Sequence, residues 1–179
     1  MHHNALNYDA IDNINRIETA KDVIYNNEGV DPYGRFFMRQ EKQGHCGLYA
    51  MRNLLESHKI TENDLHSAAQ RVAHITKDKV CNHADAMGYW SLDAISDCFV
   101  HMGFNVEYCT IVNFLNSNCV GYVVHLPEEF HYIAVRRSKR SPGKFEICDS
   151  QAGIATVTHN EIRERSVRQR WNFIEISVI

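Results

Sequence analysis

The chain has 179 residues, of which 44% are hydrophobic and 23% are charged, values that fit one soluble globular domain with a sizeable core. Its formal net charge of −3 predicts no general attraction to nucleic acid, and no apolar run approaches the roughly 20 residues of a membrane span. Because the start, Met1-His2-His3-Asn4, lacks the basic residues and apolar stretch of a secretory signal, we expect an intracellular, cytoplasmic protein.

The first region of the chain is predicted to be a helical extension. Isoleucine recurs at every third position over 11–17, which predicts a helix within residues 8–26. Polar sequence containing Gly and Pro then follows at 26–34, as is typical of a break between elements. We therefore divide the chain into an N-terminal extension over 1–34 and a main domain over 35–179. The extension either packs on the domain and stabilises it or borders a functional groove.

Cys46 lies where a cysteine can become a strong nucleophile. It follows the polar segment Gln43-Gly44-His45 and precedes an apolar helical pattern that runs to Leu55. A helix N-terminus carries a partial positive charge and free N–H donors, and both favour the reactive thiolate over the thiol. The alternative is that Cys46 is a buried structural cysteine. Two later segments of the chain argue against this alternative.

The other cysteines predict no metal site. The chain has six cysteines, irregularly spaced and without a Cys-x-x-Cys pair, so structural zinc is not expected. Several lie in apolar runs, where a free cysteine packs as a small apolar residue. Reduced cysteines are also typical of an intracellular setting.

Three further helices are predicted from their caps and spacing. Thr61 and Ser91 are suitable N-caps, and Thr158 with Glu161 has the spacing of a capping box. Gly103 should end the second of these helices. The apolar stripes of the first two consist of Leu65, Ala68, Ala69, Val72, Leu92, Ile95, Phe99 and Met102.

Short apolar runs predict strands at residues 106–108, 120–126, 132–135, 145–148 and 173–178. The third and fourth runs are separated only by a short basic turn with Pro142-Gly143, so they should pair as an antiparallel hairpin. His131 opens the first strand of this hairpin and Asp149 closes the second. Since those two ends are neighbours in an antiparallel pair, the hairpin places a base beside an acid.

Cys46, His131 and Asp149 can fill the three roles of a thiol-based catalytic triad. The imidazole takes the thiol proton and later protonates the leaving amine, while the carboxylate fixes the tautomer and orientation of the ring. His45 competes poorly as the base because an adjacent residue in a helix-entry turn rarely points the right way, and His125 lies within a strand-like run. The order Cys, His, Asp or Asn is that of papain-like proteases.

Four segments resemble Josephin domains, a family of papain-like deubiquitinases. They occur in the family's order and at roughly its spacing, and they cover nearly everything after Arg39. The segments are Glu41-Lys42-Gln43 with residues 46–55, Gly88-Tyr89-Trp90 with residues 91–95, residues 131–136, and Ile147-Cys148-Asp149-Ser150. The resemblance implies an α+β papain-like fold, with a central antiparallel sheet and a helical subdomain whose helical hairpin, in the region after Thr61, gates the active site.

The position of the oxyanion-hole glutamine departs from the family pattern. Josephin domains usually carry it five residues before the nucleophile, whereas Gln43 lies three residues and Gln40 six residues before Cys46. We favour Gln43 because it keeps the Glu-Lys-Gln context, with the backbone N–H of Cys46 as second donor. Gln40 remains the alternative because its spacing is that of papain.

The resemblance also implies an activity and partners. Cys46 would hydrolyse the bond after the C-terminal glycine of ubiquitin or polyubiquitin through an acyl-thioester, with no metal or organic cofactor. Tyr89, Trp90 and Tyr132 are the predicted substrate contacts, although Tyr89 and Trp90 could equally pack in the core. We expect a monomer.

Two other functions remain open at this stage. One is a papain-like hydrolase or acyl transferase that acts on a peptide, an amide or a ubiquitin-like protein. The other is a module that binds ubiquitin without cleaving it. The sequence also leaves open whether this is a housekeeping enzyme or a pathogen effector, for which the location would be the host cytosol.

Overall fold

The computed structural model describes residues 34–110 and 117–179. The predicted helix within 8–26, and with it nearly all of the predicted extension over 1–34, lies outside the described residues. The helices are α1 (Cys46–Leu55), α2 (Glu62–Thr76), α3 (Leu92–His101) and α4 (His159–Arg168), with a 3₁₀ turn at Val80–Asn82. The strands are β1 (Phe104–Cys109), β2 (Cys119–Leu126), β3 (His131–Arg137), β4 (Phe145–Asp149), β5 (Gly153–Val157) and β6 (Asn172–Val178).

The predicted N-cap residues lie at the starts of their helices. The Thr61 and Thr158 side chains accept hydrogen bonds from the backbone N–H groups of Asp64 and Glu161, and both sites are complete capping boxes. Ser91 accepts from the backbone of Ala94 at the start of α3. These bonds satisfy donors that a helix start leaves without a partner in the helix. Within the described parts of the chain, no helix is both long and apolar enough to cross a membrane.

The strands form one antiparallel sheet in the order β1-β6-β2-β3-β4-β5. The five predicted strands are present, and the predicted hairpin is β3–β4, with Ala134 opposite Cys148 and Arg137 opposite Phe145. Strand β5 was not predicted. Its five residues, Gly153–Val157, follow β4 after a tight turn and are too short to show a clear alternation.

The sheet separates two hydrophobic clusters. Alternate residues of a strand point to opposite faces, so Tyr132 and Ala134 of β3 pack with α1, α2 and α3, whereas Ile133 and Val135 pack on the other side with Ile162 of α4. Burial of each large apolar side chain contributes about 1.5–3 kcal/mol. The helical layer over β3 is what brings the start of α1 to one end of the sheet.

Gly121 allows α1 to lie directly on the sheet. The pairing of β2 with β6 shifts register between Cys119 and Gly121, as in a β-bulge. A Cβ at position 121 would lie 2.4 Å from the Val135 carbonyl oxygen and 2.6 Å from Leu54 Cδ1 of α1. Only glycine fits this contact between helix and strand.

A buried arginine joins α1 to the β3–β4 hairpin. Arg136 is 4% exposed, lies 2.9 Å from the Glu146 carboxylate, and donates to the carbonyl oxygens of Asn53 (2.6 Å) and Phe36 (2.7 Å). The Asn53 side chain in turn bonds both backbone groups of Met38, at 2.7 and 3.0 Å. The segment that leads to Gln40 and Cys46 is thereby fixed to the sheet.

Candidate active site

Cys46 is the first residue of α1 and is only 1% exposed. The turn before it contains Gly44 at φ +87°, and a Cβ there would lie 2.2 Å from the carbonyl oxygen of Met87. The chain entering α1 therefore lies directly against the loop that carries Tyr89. This packing covers the thiol while leaving it at a helix N-terminus, where the helix dipole favours negative charge.

His131 and Asp149 meet at the end of the β3–β4 hairpin, as predicted from the sequence. His131 Nε2 lies 2.8 Å from Asp149 Oδ1. The carboxylate also accepts backbone hydrogen bonds from Gln151 (2.9 Å) and Ala152 (3.3 Å). Burial would raise the pKa of Asp149, but the bonds from His131 and from the backbone outweigh it and lower the pKa. Asp149 is therefore an anion at neutral pH, where His131 is charged.

The His131 ring also interacts with Cys46. His131 is 5% exposed, and burial lowers its pKa, but hydrogen bonds with Asp149 and with Cys46 outweigh burial and raise the pKa to about 9. Since Nε2 faces Asp149, the other ring nitrogen, Nδ1, is the one left for the thiol. The structure brings the three predicted triad residues together in the relation that thiol-based acyl transfer needs.

Other cysteines have different surroundings from Cys46. Burial raises the pKa of Cys98 and Cys148 to about 12 and that of Cys109 and Cys119 to about 11. These side chains remain thiols at neutral pH and are poor nucleophiles. Among residues 34–110 and 117–179, no group of His, Cys, Asp or Glu side chains is arranged to hold a metal ion.

The two candidate oxyanion glutamines lie in different environments. Gln43 is exposed. Gln40 is half-buried, and its backbone N–H donates to the Ser150 carbonyl oxygen (3.2 Å) while its Oε1 accepts from Ser150 Oγ (2.7 Å). Because Ser150 directly follows Asp149, Gln40 is attached to the strand end that carries the acid of the triad.

The three predicted substrate contacts are not equivalent. Tyr89 is half-buried, and burial and the nearby Cys46 and Asp85 raise its pKa. Tyr132 is 4% exposed, and its ring lies 3.5 Å from where a Cβ on Gly47 would be. Trp90 is 2% exposed in the core, which fits the packing role that the sequence left open.

The two competing histidines are engaged elsewhere. His45 is buried, and its ring packs on Trp90 at a centroid distance of 5.4 Å. Its pKa is lowered chiefly by burial. The His125 ring lies 4.8 Å from that of Tyr132, and burial lowers its pKa as well. Neither is bonded to a carboxylate as closely as His131 is.

Sequence reasoning missed a polar cluster between α3 and β1. Tyr108 Oη donates to Asp93 Oδ1 at 2.6 Å, and Ser96 Oγ donates to Tyr108 Oη at 3.1 Å. No sequence signal pointed to this cluster, because the contact joins β1 to α3 across the intervening turn. For Gln40 a signal did exist, namely its spacing of six residues from Cys46.

No protein-family model and no curated protein matches the chain. Among solved structures, it is similar to the peptidase domain of Streptococcus ComA, described as a bi-functional ABC transporter involved in a quorum-sensing pathway. The identity is 14%, the match covers 79% of this chain and 96% of that one, and the TM-score is 0.50.

Two other solved structures are similar at lower TM-scores. The peptidase domain of Streptococcus mutans ComA matches with 14% identity over 79% of this chain and 98% of its own, at a TM-score of 0.42. A double-glycine motif protease from an AMS/PCAT transporter, solved with a leader peptide, matches with 10% identity over 80% and 91%, at 0.43.

The similarity to the ComA peptidase domain at a TM-score of 0.50 confirms the predicted α+β papain-like fold. The assignment to Josephin domains is wrong, because the solved structure that matches at a TM-score of 0.50 is the peptidase domain of Streptococcus ComA. The physical reason for the wrong assignment lies in what the four motifs contain. They consist of a predicted nucleophile at a helix start, a predicted base and acid at strand ends, and the apolar residues around them. Any papain-like fold requires these features, so their order identifies the fold and not one family within it.

Proposed function

We propose that this chain is a papain-like cysteine peptidase that cleaves an amide bond with Cys46 as nucleophile. The observation that carries the proposal is the 2.8 Å bond between His131 and Asp149, made by an imidazole that also meets the thiol at the start of α1. A buried histidine bound to both a thiol and a carboxylate has little structural use, since an apolar residue would pack there without the cost of burying charge.

The reaction follows from the positions of these groups. The Cys46 sulfur attacks the substrate carbonyl carbon, and the proton formerly on sulfur resides on His131. The imidazolium then gives that proton to the leaving amine as the C–N bond breaks, which leaves a thioester on Cys46. Water, deprotonated by His131, hydrolyses the thioester and restores the thiol. Asp149 orients the ring throughout and stabilises its positive charge.

We assign the oxyanion to Gln40 and the backbone N–H of Cys46. Gln40 is held by two hydrogen bonds to Ser150, and a donor that is fixed before the reaction stabilises developing charge better than a mobile one. Gln43 is exposed and has no comparable anchor. Gln40 therefore replaces our sequence-based preference for Gln43.

The covered thiol favours substrates with small residues next to the scissile bond. Cys46 is 1% exposed, and the buried Tyr132 packs beside it, so a bulky side chain at the residue that donates the carbonyl would collide with these walls. Glycine meets this requirement. Ubiquitin, whose tail also ends in glycine, stays an untested prediction as a partner.

The test uses a fluorogenic peptide that ends in Gly-Gly before the cleaved amide. We expect turnover by the unmodified chain, none above background by Cys46→Ala, and unchanged turnover by Cys81→Ala, because Cys81 is an exposed thiol away from the triad. Replacing the final glycine by leucine should abolish cleavage. Loss of one oxyanion donor costs on the order of 100-fold in kcat, so Gln40→Ala should be impaired far more than Gln43→Ala.

Other outcomes would contradict the proposed peptidase function or test the ubiquitin prediction separately. Equal turnover by Cys46→Ala, or equal cleavage of the leucine peptide, would contradict the proposal. A ubiquitin probe with a C-terminal thiol-reactive group reports separately on the ubiquitin prediction. An adduct that requires Cys46 would support it, whereas cleavage of the free peptide without any adduct would limit the activity to peptides.

A further inference from the structure

We propose that a cavity at the turn end of the β3–β4 hairpin binds a phosphate group, either as free phosphate or as part of a small molecule. The cavity has a volume of about 270 Å³ and is lined by Arg35, Ser138, Arg140, Ser141, Glu146 and Thr156. His131 begins β3, and the cavity lies at the other end of that strand, roughly 20 Å away at the rise of a β-strand. Binding there does not depend on the proposed peptidase function.

The acid in the cavity wall already has its counter-charge. Glu146 is 3% exposed, and its Oε2 lies 2.9 Å from both Nε and Nη2 of Arg136. Its Oε1 accepts a 3.2 Å hydrogen bond from Ser138 Oγ. Because these bonds offset the charge of Glu146 and engage both of its oxygens, the carboxylate does not balance the other charges of the wall.

Two arginines give the cavity its positive charge. Arg35 Nη1 donates to Thr156 Oγ1 at 3.3 Å. Arg140 Nη2 lies 2.9 Å from where a Cβ on Gly34 would be, and so reaches from the hairpin turn to the segment that carries Arg35. Among the described residues, the Arg140 side chain forms no ion pair or hydrogen bond. Two like charges that line one small cavity repel each other, and an anion between them would remove that repulsion.

The polar groups that remain in the wall are donors. A guanidinium has five N–H groups and no acceptor, and a hydroxyl such as that of Thr156, which already accepts from Arg35, can still donate its own hydrogen. Ser141 adds a second hydroxyl to the wall. The cavity therefore fits a ligand that consists of acceptors.

Phosphate matches this set of groups better than a carboxylate does. A phosphate group carries a charge of about −1.5 to −2 at neutral pH and has at least three acceptor oxygens, whereas a carboxylate has one charge and two oxygens. The planar fork of arginine also fits the geometry of phosphate oxygens. Two arginines and two hydroxyls could all bond to one phosphate group.

A basic turn by itself needs no ligand, because exposed lysines and arginines are ordinary on a protein surface. Lys144 belongs to the same turn, is exposed and does not line the cavity. Arg140 differs because it lines the cavity together with Arg35. Comparing substitutions of Arg140 and Lys144 therefore separates a binding site from the general charge of the turn.

The experiment is isothermal titration calorimetry of the full chain with inorganic phosphate, glycerol 3-phosphate and acetate, at neutral pH and constant ionic strength. We expect phosphate to bind at one site, and acetate to bind at least about tenfold more weakly because it forms fewer charge-assisted bonds. Tighter binding of glycerol 3-phosphate would identify a small phosphorylated molecule as the ligand. Equal binding of the two would identify phosphate itself.

Substitutions then identify the residues responsible. Arg140→Gln should weaken phosphate binding by about tenfold, and Arg140→Lys, which keeps the charge but loses the planar fork, should lie between it and the unmodified chain. Lys144→Gln is the matched control, because it removes an equal charge from the same turn and should change the affinity by about twofold or less. Since Arg140 and Lys144 are exposed, thermal unfolding without phosphate should be the same in all variants.

Three results would overturn the site. They are the absence of any heat of binding at millimolar phosphate, acetate binding as tight as that of phosphate, and equal weakening by Lys144→Gln and Arg140→Gln. The second and third would mean that the basic turn attracts anions in general. Cleavage of the Gly-Gly peptide is measured separately, so each of these results leaves the proposed peptidase function in place.

Discussion

His131 has its raised pKa because two neighbours stabilise its charged form. Burial opposes charge on the ring, yet the hydrogen bonds with Asp149 and Cys46 raise the pKa to about 9, above the ordinary value of about 6.5. Protonation of His131 thus contributes stability that is fully present below about pH 6.5 and is lost as the pH rises through about 9. In the proposed reaction, the proton that the leaving amine needs is therefore in place at neutral pH.

The pH profile of the reaction should report this pKa. We expect kcat/KM to decline above about pH 9, because deprotonated His131 can no longer protonate the leaving amine. In Asp149→Asn the ring loses the negative charge beside it, so the decline should begin at lower pH, and kcat at pH 7 should fall by on the order of 100-fold or more. The measurement is kcat/KM for the Gly-Gly peptide between pH 5 and 10.

Glu129→Gln is the control for that experiment. Glu129 is an exposed acid two residues before His131, so its removal changes the net charge equally without touching the ring. We expect its profile to match that of the unmodified chain. A decline at the same pH in Asp149→Asn as in the unmodified chain would contradict the role assigned to Asp149.

At the scale of single elements, the capping boxes stabilise helices that propensity alone would not. Helix α4 has one buried residue, Ile162, and a mostly polar surface, so tertiary packing holds it weakly. Its start depends on Thr158, which accepts from the Glu161 N–H, and on Glu161, which accepts from the Thr158 N–H at 2.7 Å. Helices this short are marginal in water without such bonds.

Removing the Thr158 hydroxyl should therefore destabilise the domain. We expect Thr158→Ala to lower the free energy of unfolding by about 1 kcal/mol, measured by urea denaturation. Thr158→Ser keeps the hydroxyl and should lie within a few tenths of a kcal/mol of the unmodified chain. Equal losses in the two variants would mean that the threonine methyl, and not the cap, provides the stability.

At the scale of the whole molecule, the buried Arg136 connects the helical layer to the sheet. Arg136 and Glu146 are 4% and 3% exposed, and the arginine also donates to the backbone of α1 at Asn53 and of the preceding segment at Phe36. The bond to Asn53 fixes the end of the helix that begins with Cys46. The positions of α1 and of the hairpin that carries His131 and Asp149 are thus coupled through these bonds.

Breaking the pair on one side should be costly. We expect Arg136→Leu to lower the free energy of unfolding by about 3–5 kcal/mol, because Glu146 is left buried without its counter-charge. Arg137→Leu, at the exposed next position of β3, should change it by about 0.5 kcal/mol or less. The measurement is urea denaturation followed by tryptophan fluorescence.

A double substitution separates the cost of leaving Glu146 without its counter-charge from the cost of losing the other bonds of Arg136. Arg136→Met with Glu146→Leu removes both charges, and it should recover part of the stability lost in Arg136→Leu. A double variant as unstable as Arg136→Leu would show that the bonds to the Asn53 and Phe36 carbonyls and the ion pair with Glu56 at 3.3 Å, and not the charge of Glu146, dominate.

The features that could be predicted from the sequence depend on residues that lie close together in the chain. Thr61, Ser91 and Thr158 were identified as caps because a cap depends on residues three positions away. His131 and Asp149 were placed together because a short turn joins their strands. The family was misassigned because those local rules apply to any papain-like fold, whereas substrate class depends on residues around the site. Ubiquitin as a partner, a cytoplasmic location and a monomeric state remain predictions.

The amino-acid sequence alone was enough to predict helices α1 to α4, five of the strands and the meeting of His131 with Asp149, since local hydrogen bonds, apolar periodicity and one hairpin turn specify them. Only the tertiary structure shows that Gln40 is bonded to Ser150, because the bond joins residues 110 positions apart, and this bond is our reason for proposing Gln40 over Gln43. It also shows that Trp90 lies in the core and that the Tyr108 hydroxyl meets Asp93. Those contacts depend on how helices pack over the sheet, which is set by the summed burial of many side chains and by long-range bonds such as those of Arg136.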